Sequence, residues 1–115
     1  MSEYRKYAWD GIEQEPMPAL SGRVLRQFVS GEQMTVARVA FDAGSEMAEH
    51  WHENEQFTVL LSGRMEFTVA GEKVAVSAGE VLFLPSNVPH SARSLTDAVL
   101  LDVFSPPRAD WKRAD

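Results

Sequence analysis

Gly44-Ser45-Glu46-Met47-Ala48-Glu49-His50-Trp51-His52-Glu53-Asn54-Glu55-Gln56-Phe57-Thr58-Val59-Leu60-Leu61-Ser62-Gly63 decides the fold of this chain, together with the answering stretch Gly79-Glu80-Val81-Leu82-Phe83-Leu84-Pro85-Ser86-Asn87-Val88-Pro89-His90. All three histidines of the sequence, His50, His52 and His90, lie in these two stretches. Imidazole is the commonest protein ligand for transition metals. Residues two apart on a strand point to one face, so His50 and His52 can converge on a single ion.

Outward from these stretches, short apolar runs alternate with turn signals: Val24 to Val29, Thr35 to Phe41, Phe57 to Leu61, Met65 to Ala70, Val74 to Val76, Val81 to Leu84, and Val99 to Phe104. Gly31, Gly44, Gly63, Gly71 and Gly79 punctuate them. Strands rich in valine and phenylalanine, separated by glycine turns and lacking a helical period, predict an all-β sandwich or barrel. Between Gly63 and Gly79 there is room for a strand, a turn at Ala70-Gly71-Glu72-Lys73 and a return strand. Gly44 to Glu55 and Ala92 to Asp97 read less clearly as strand, and a helix after Pro107 is open. Residues 1–20, with Pro16 and Pro18, read as an N-terminal arm lying on the domain or on a partner subunit, and residues 21–115 as the barrel.

With 115 residues, the chain is expected to form one domain around one core. It has no cysteine, which excludes thiolate nucleophiles and sulfur-rich zinc sites and leaves metal ligation to histidine, carboxylate and amide groups. A net charge of -6 argues against a nucleic-acid or anionic-membrane surface. Neither a signal-peptide core nor a run long enough to span a membrane is present, so the cytoplasm is the default location.

Gly44, His50, His52, Gly63, Gly79, Pro85 and His90 fall in register with the two signature motifs of the cupin superfamily, which the chain therefore resembles. Three positions depart from the motifs: Gln56 stands where an acid is usual, Asn87 replaces a glycine and Ser94 an asparagine. The resemblance implies a small double-stranded β-helix, a jelly-roll barrel. It also implies one divalent transition metal ion (Zn, Ni, Mn, Fe or Cu) held by His50, His52, Gln56 and His90. The rival carboxylates are Glu53 and Glu55, but a strand beginning near Glu55 would turn that side chain away from Gln56. A neutral amide in place of the acid leaves the charge of a divalent ion uncompensated and favours Lewis-acid chemistry on anions. Cupins of this size are usually dimers, and Tyr4, Tyr7 and Trp9 of the arm could cover a neighbour's sheet edge, so a homodimer is expected.

Asp102 interrupts the apolar run Ala98-Val99-Leu100-Leu101-Asp102-Val103-Phe104, where an ionised carboxylate is costly to bury without a partner. Period two places Leu100, Asp102 and Phe104 on one face. A salt bridge to Arg108 or Arg38 is the structural explanation for Asp102, and core packing the one for Phe104. With His50-Trp51-His52 and Glu55-Gln56, the tail Leu100 to Arg108 resembles the small pectin-degradation cupins, which linearise unsaturated uronates from pectin and alginate. That resemblance makes Asp102 catalytic, Phe104 and Arg108 substrate-binding, and a sugar acid the substrate. The alternatives are another metal-dependent cupin enzyme, a sugar isomerase or dioxygenase, and a non-catalytic cupin that binds a sugar or acid.

Overall fold

The computed structural model describes residues 3–111. Among these residues ten antiparallel strands form two facing sheets: β1 (Glu15–Pro16), β2 (Val24–Ser30), β3 (Thr35–Phe41), β4 (Glu46–His50), β5 (Glu55–Ser62), β6 (Arg64–Val69), β7 (Glu72–Ser77), β8 (Val81–Leu84), β9 (His90–Ser94) and β10 (Ala98–Ser105). The larger sheet runs β1-β2-β3-β10-β5-β8 and the smaller β4-β9-β6-β7. This is the all-β jelly-roll barrel that the motifs imply.

The alternation of β3 is strict, with Thr35, Ala37, Val39 and Phe41 buried and the intervening residues half-buried, because successive side chains leave a strand on opposite faces. The inward set continues across the sheet as Leu100 and Phe104 of β10 and Leu60 of β5, and meets Met65, Phe67 and Val76 of the smaller sheet. Each such fully buried side chain contributes about 1.5–3 kcal/mol from the apolar area it removes from water.

Three expectations need correction. The stretches that read less clearly as strand contain β4 and the end of β9, polar segments whose strand geometry comes from pairing with each other and with β6 rather than from propensity. No helix follows Pro107 as far as Trp111, where 109–110 form a turn; residues 112–115 lie outside the described region. The turn between β6 and β7 is also tighter than expected. Ala70 and Gly71 both take positive φ, 48° and 83°, and Val69 pairs directly with Glu72, so two residues close the hairpin in the sense that suits strand twist.

The arm is tied to its own barrel. β1 pairs with β2, and the buried Gln27 side chain donates to the carbonyl oxygens of Trp9 (2.5 Å) and Ile12 (2.8 Å). Gly63, the last glycine of the first motif, has φ +83°, and a Cβ there would collide with the carbonyl oxygen of Asp97. Gly63→Ala is therefore expected to cost about 3 kcal/mol or more, since left-handed strain and a backbone clash add. Thermal unfolding checks this; an unchanged Tm would mean that the turn can be rebuilt.

Candidate metal centre

His50 closes β4 and lies directly opposite His90, which opens β9. His52 sits two residues beyond the end of β4, and the chain still turns it toward the other two. The ring centroids are 4.3 Å (His50–His90), 5.2 Å (His52–His90) and 5.8 Å (His50–His52) apart, and one ring nitrogen from each lies within 4.8 Å of the others.

In every ring the other nitrogen is already committed. Nδ1 of His50 meets the carbonyl of Ala48 at 2.9 Å, that of His52 meets Asn54 at 3.0 Å, and that of His90 meets Val88 at 2.9 Å. A carbonyl only accepts, so each Nδ1 carries a proton, and a neutral ring then presents its lone pair at Nε2. Burial lowers the His90 pKa to about 4, and burial followed by the Arg108 charge lowers that of His52, so the Nε2 lone pairs of these two rings stay free at neutral pH.

Two observations test whether the cluster suits a cation. His90 Nε2 is buried without a hydrogen-bond partner, a condition that ordinarily costs about 1–3 kcal/mol. Second, His52 Nε2 lies 3.1 Å from Gln56 Oε1. Gln56 cannot flip to donate there, because its Nε2 donates to Thr58 Oγ1 (2.8 Å) and Asp102 Oδ1 (3.1 Å). Two acceptors thus face each other across a space where a cation would satisfy both. Three imidazoles and an amide oxygen suit a divalent transition metal, and the set does not select among Zn, Ni, Mn, Fe and Cu. His50→Ala is expected to lower metal affinity by about 100-fold or more, since even the partners of ligands are worth 10–100-fold. Elemental analysis after dialysis against a weak chelator reads this directly; unchanged stoichiometry would undo the ligand assignment.

Of the rival carboxylates, Glu53 is exposed and Glu55 points to the outer face of β5 while Gln56 is buried inside. Trp51 is 63% exposed and takes no part.

Asp102 stands on β10 opposite Thr58 of β5, facing inward as period two requires. Thr58 Oγ1 donates to its Oδ1 at 2.6 Å. Burial raises the Asp102 carboxyl to about 6, against the opposing pull of the Thr58 and Gln56 hydrogen bonds and the Arg108 charge. It keeps one partly accessible side, toward the cavity. Neither expected salt bridge forms: Arg38 reaches Gln27 at 3.4 Å, and Arg108 holds Asp110 through Nε (2.9 Å) and Nη2 (2.8 Å). Arg108 also lies over the rings of Phe104 (4.8 Å) and Trp111 (4.4 Å), so one edge of its fork is taken and its flat faces are stacked.

A cavity of about 290 Å³ brings His50, His90, Gln56, Asp102, Phe104 and Arg108 together between the sheets. Residues that the sequence did not single out line or support it. Thr58 fixes the carboxylate, Trp111 packs edge-on against Phe28 (5.4 Å) and Phe104 (5.1 Å), and Asn54 Nδ2 ties the tail down through the carbonyls of Pro106 (2.5 Å) and Pro107 (3.2 Å). Arg26, also overlooked, lies over the other rings of this group at 4.3 Å from Trp111.

The cupin domain family matches residues 37–104, more than half of the chain, a span that includes His50, His52, Gln56 and His90. The chain belongs to the cupin family. Among cupins of known structure, it superposes on an RmlC-like cupin from Shewanella frigidimarina with a TM-score of 0.81, at 29% identity over 95% of this chain and 96% of the other. Against KdgF from a Halomonas species the TM-score is 0.75, with 28% identity over 84% and 89% of the two chains. In sequence it is 28% identical over 110 residues to the pectin degradation protein KdgF of Dickeya dadantii, covering 93% of this chain and 98% of that one.

Proposed function

We propose that this cupin is a metal-dependent enzyme that linearises unsaturated uronates, opening the ring and tautomerising the product to the 5-keto-4-deoxyuronate. The observation that carries the reading is the Gln56 amide. Its oxygen faces the histidine cluster and its nitrogen holds Asp102, so a cation site and a base of raised pKa share one rigid link. Similarity to KdgF over nearly the whole chain supports the substrate class.

A divalent ion held by His50, His52, His90 and Gln56 would supply Lewis-acid stabilisation for charge developing on the substrate's carboxylate and ring oxygen. Asp102 accepts the proton of the C1 hydroxyl as the C1 carbonyl forms and the bond from C1 to the ring oxygen breaks. The electron pair left on that oxygen is an enolate conjugated through C5 to C4. Asp102 then returns the proton to C4, and the C5 ketone forms; nothing is gained or lost overall. A carboxyl near 6 suits both halves of this transfer at neutral pH. Phe104 packs on the ring, and Arg108 binds the carboxylate with whatever part of its fork Asp110 releases.

Purified protein loaded with metal should abolish the conjugated ultraviolet absorbance of an unsaturated galacturonate faster than buffer does. Decay at the buffer rate with each of the five metals would end the proposal. The homodimer is also proposed: the outer face of β5 and β8 leaves Phe57, Leu61, Val81 and Phe83 43% exposed or more, a face that a second copy would cover. Sedimentation as a 12.8 kDa monomer would remove it.

A further inference from the structure

Arg108 borders the cavity with its fork already engaged. Its Nε and Nη2 donate to Oδ1 and Oδ2 of Asp110 at 2.9 and 2.8 Å, the paired bonds by which a guanidinium recognises a free carboxylate. The two partners are held very differently. The Arg108 side chain is only 10% exposed and stacks on Phe104 and Trp111, while its backbone N–H donates to Thr35 Oγ1 at 3.0 Å. The Asp110 side chain is 63% exposed, stands in the turn at 109–110, and bonds to no other side chain among the described residues. It lines not the cavity but a neighbouring cleft shared with His52 and Asn54, where its carboxylate can turn into solvent without any strand moving. An ion pair with so exposed a member exchanges readily. The guanidinium, by contrast, stays in place and needs an anion.

We infer that Asp110 is an internal stand-in for the ligand's carboxylate: it occupies Arg108 in the free protein, an acid entering the cavity must displace it, and it thereby sets the affinity of the site for acids. This deepens the proposed function and rests on Arg108 as the group that receives the substrate carboxylate. A tether of two residues holds Asp110 at an effective concentration on the order of millimolar or above, so a scarce acid competes poorly. Two carboxylates cannot share the guanidinium at full strength. A ligand gripping the free edge while Asp110 kept the other would bring like charges together on one cation, and their repulsion favours release of the more exposed one, Asp110. A neutral sugar meets no such competition, so the penalty falls on carboxylates alone.

Galacturonate, a saturated acid with no C4=C5 bond to react, is the probe, and its methyl ester is the uncharged control. Calorimetry on the zinc-loaded protein should show Asp110→Asn binding galacturonate about 5-fold more tightly than wild type, as expected when a receptor occupied about four-fifths of the time by its own carboxylate is set free. Binding of the ester should not change. A negative charge also acts at a distance, so Asp110→Asn is combined with Ala109→Asp, which restores the net charge at a neighbouring exposed position. Displacement predicts that the tighter binding survives in the double variant. Both positions are exposed, so neither change disturbs the core. For the unsaturated uronate the same factor should appear as a lower KM. No galacturonate binding, equal affinity in wild type and Asp110→Asn, or loss of the gain in the double variant overturns the inference. None of these results touches linearisation, which the ultraviolet assay reads separately. Tighter galacturonate binding without turnover of the unsaturated uronate supports the inference and removes linearisation instead.

Discussion

Asp102→Asn is expected to reduce turnover of the unsaturated uronate by about 10²- to 10⁴-fold, the usual worth of a positioned general acid or base, while leaving metal content unchanged. The substitution is nearly isosteric. The amide oxygen of asparagine can accept from Thr58 and Gln56 just as Oδ1 does, so neither the Gln56 amide nor the facing histidines need move. What disappears is a group that binds and releases a proton near neutrality. A stability measurement separates this loss from misfolding. Asp102 is raised from 3.8 unfolded to about 6 folded, so the folded state holds its proton more tightly. The stabilisation from the neutral form is complete below pH 3.8 and is lost as pH rises through 6. Above that, wild type carries a buried charge that the asparagine variant does not. Metal-free Asp102→Asn should therefore be the more heat-stable protein at pH 8, by at most about 3 kcal/mol, with the advantage gone near pH 4. A variant that is inactive and less stable at pH 8 would indicate a structural carboxylate.

That stability is spent on a charged group inside the barrel is the pattern expected of a working site. It also explains how much could be read from sequence. Period two suggests the pairing of His50 with His52, and the resemblance to the cupin motifs adds Gln56 and His90; in the structure the three histidines cluster and Gln56 Oε1 lies 3.1 Å from His52 Nε2. Asp102 is conspicuous because aspartate fits an apolar strand so poorly. Thr58 occupies an equally inward position and bonds to that carboxylate, yet threonine is a favoured strand residue and its hydroxyl draws no notice. Arg26 could have been found by the argument used for Asp102: it alternates with the buried Val24 and Phe28 on the inner face of β2. Trp111 could not, since its place depends on an irregular tail pinned by Asn54, and no periodicity encodes that. The pairing of Arg108 with Asp110 is of the same kind, a contact between residues two apart that only the local turn brings together. Likewise β4 and β9 are strands because they have partners, and partners are not written in local composition.

Gln56→Glu is the sharper test of how the two halves of the site are joined. It should hold metal more firmly against a chelator and yet lose turnover by about 10²-fold or more. The gain follows from charge: a carboxylate oxygen at the place of Oε1 attracts a divalent ion more strongly than an amide does. The loss follows from the other end of the side chain. Gln56 Nε2 now donates to both Thr58 and Asp102, at 2.8 and 3.1 Å, and a glutamate has no donor to replace it. It would set a second negative oxygen against Asp102, and a like charge so close drives a carboxyl pKa further up. Asp102 would stay protonated through neutrality, unable to take the C1 proton, and the acid limb of kcat/KM would move to higher pH. Added charge on the ligand set would also weaken the pull on a substrate anion, raising KM. Gln56→Ala should behave in the opposite sense toward metal, releasing it more readily. If Gln56→Glu kept wild-type turnover and pH profile, the amide would not be the link between cation and base, and Asp102 would act independently of the histidine cluster.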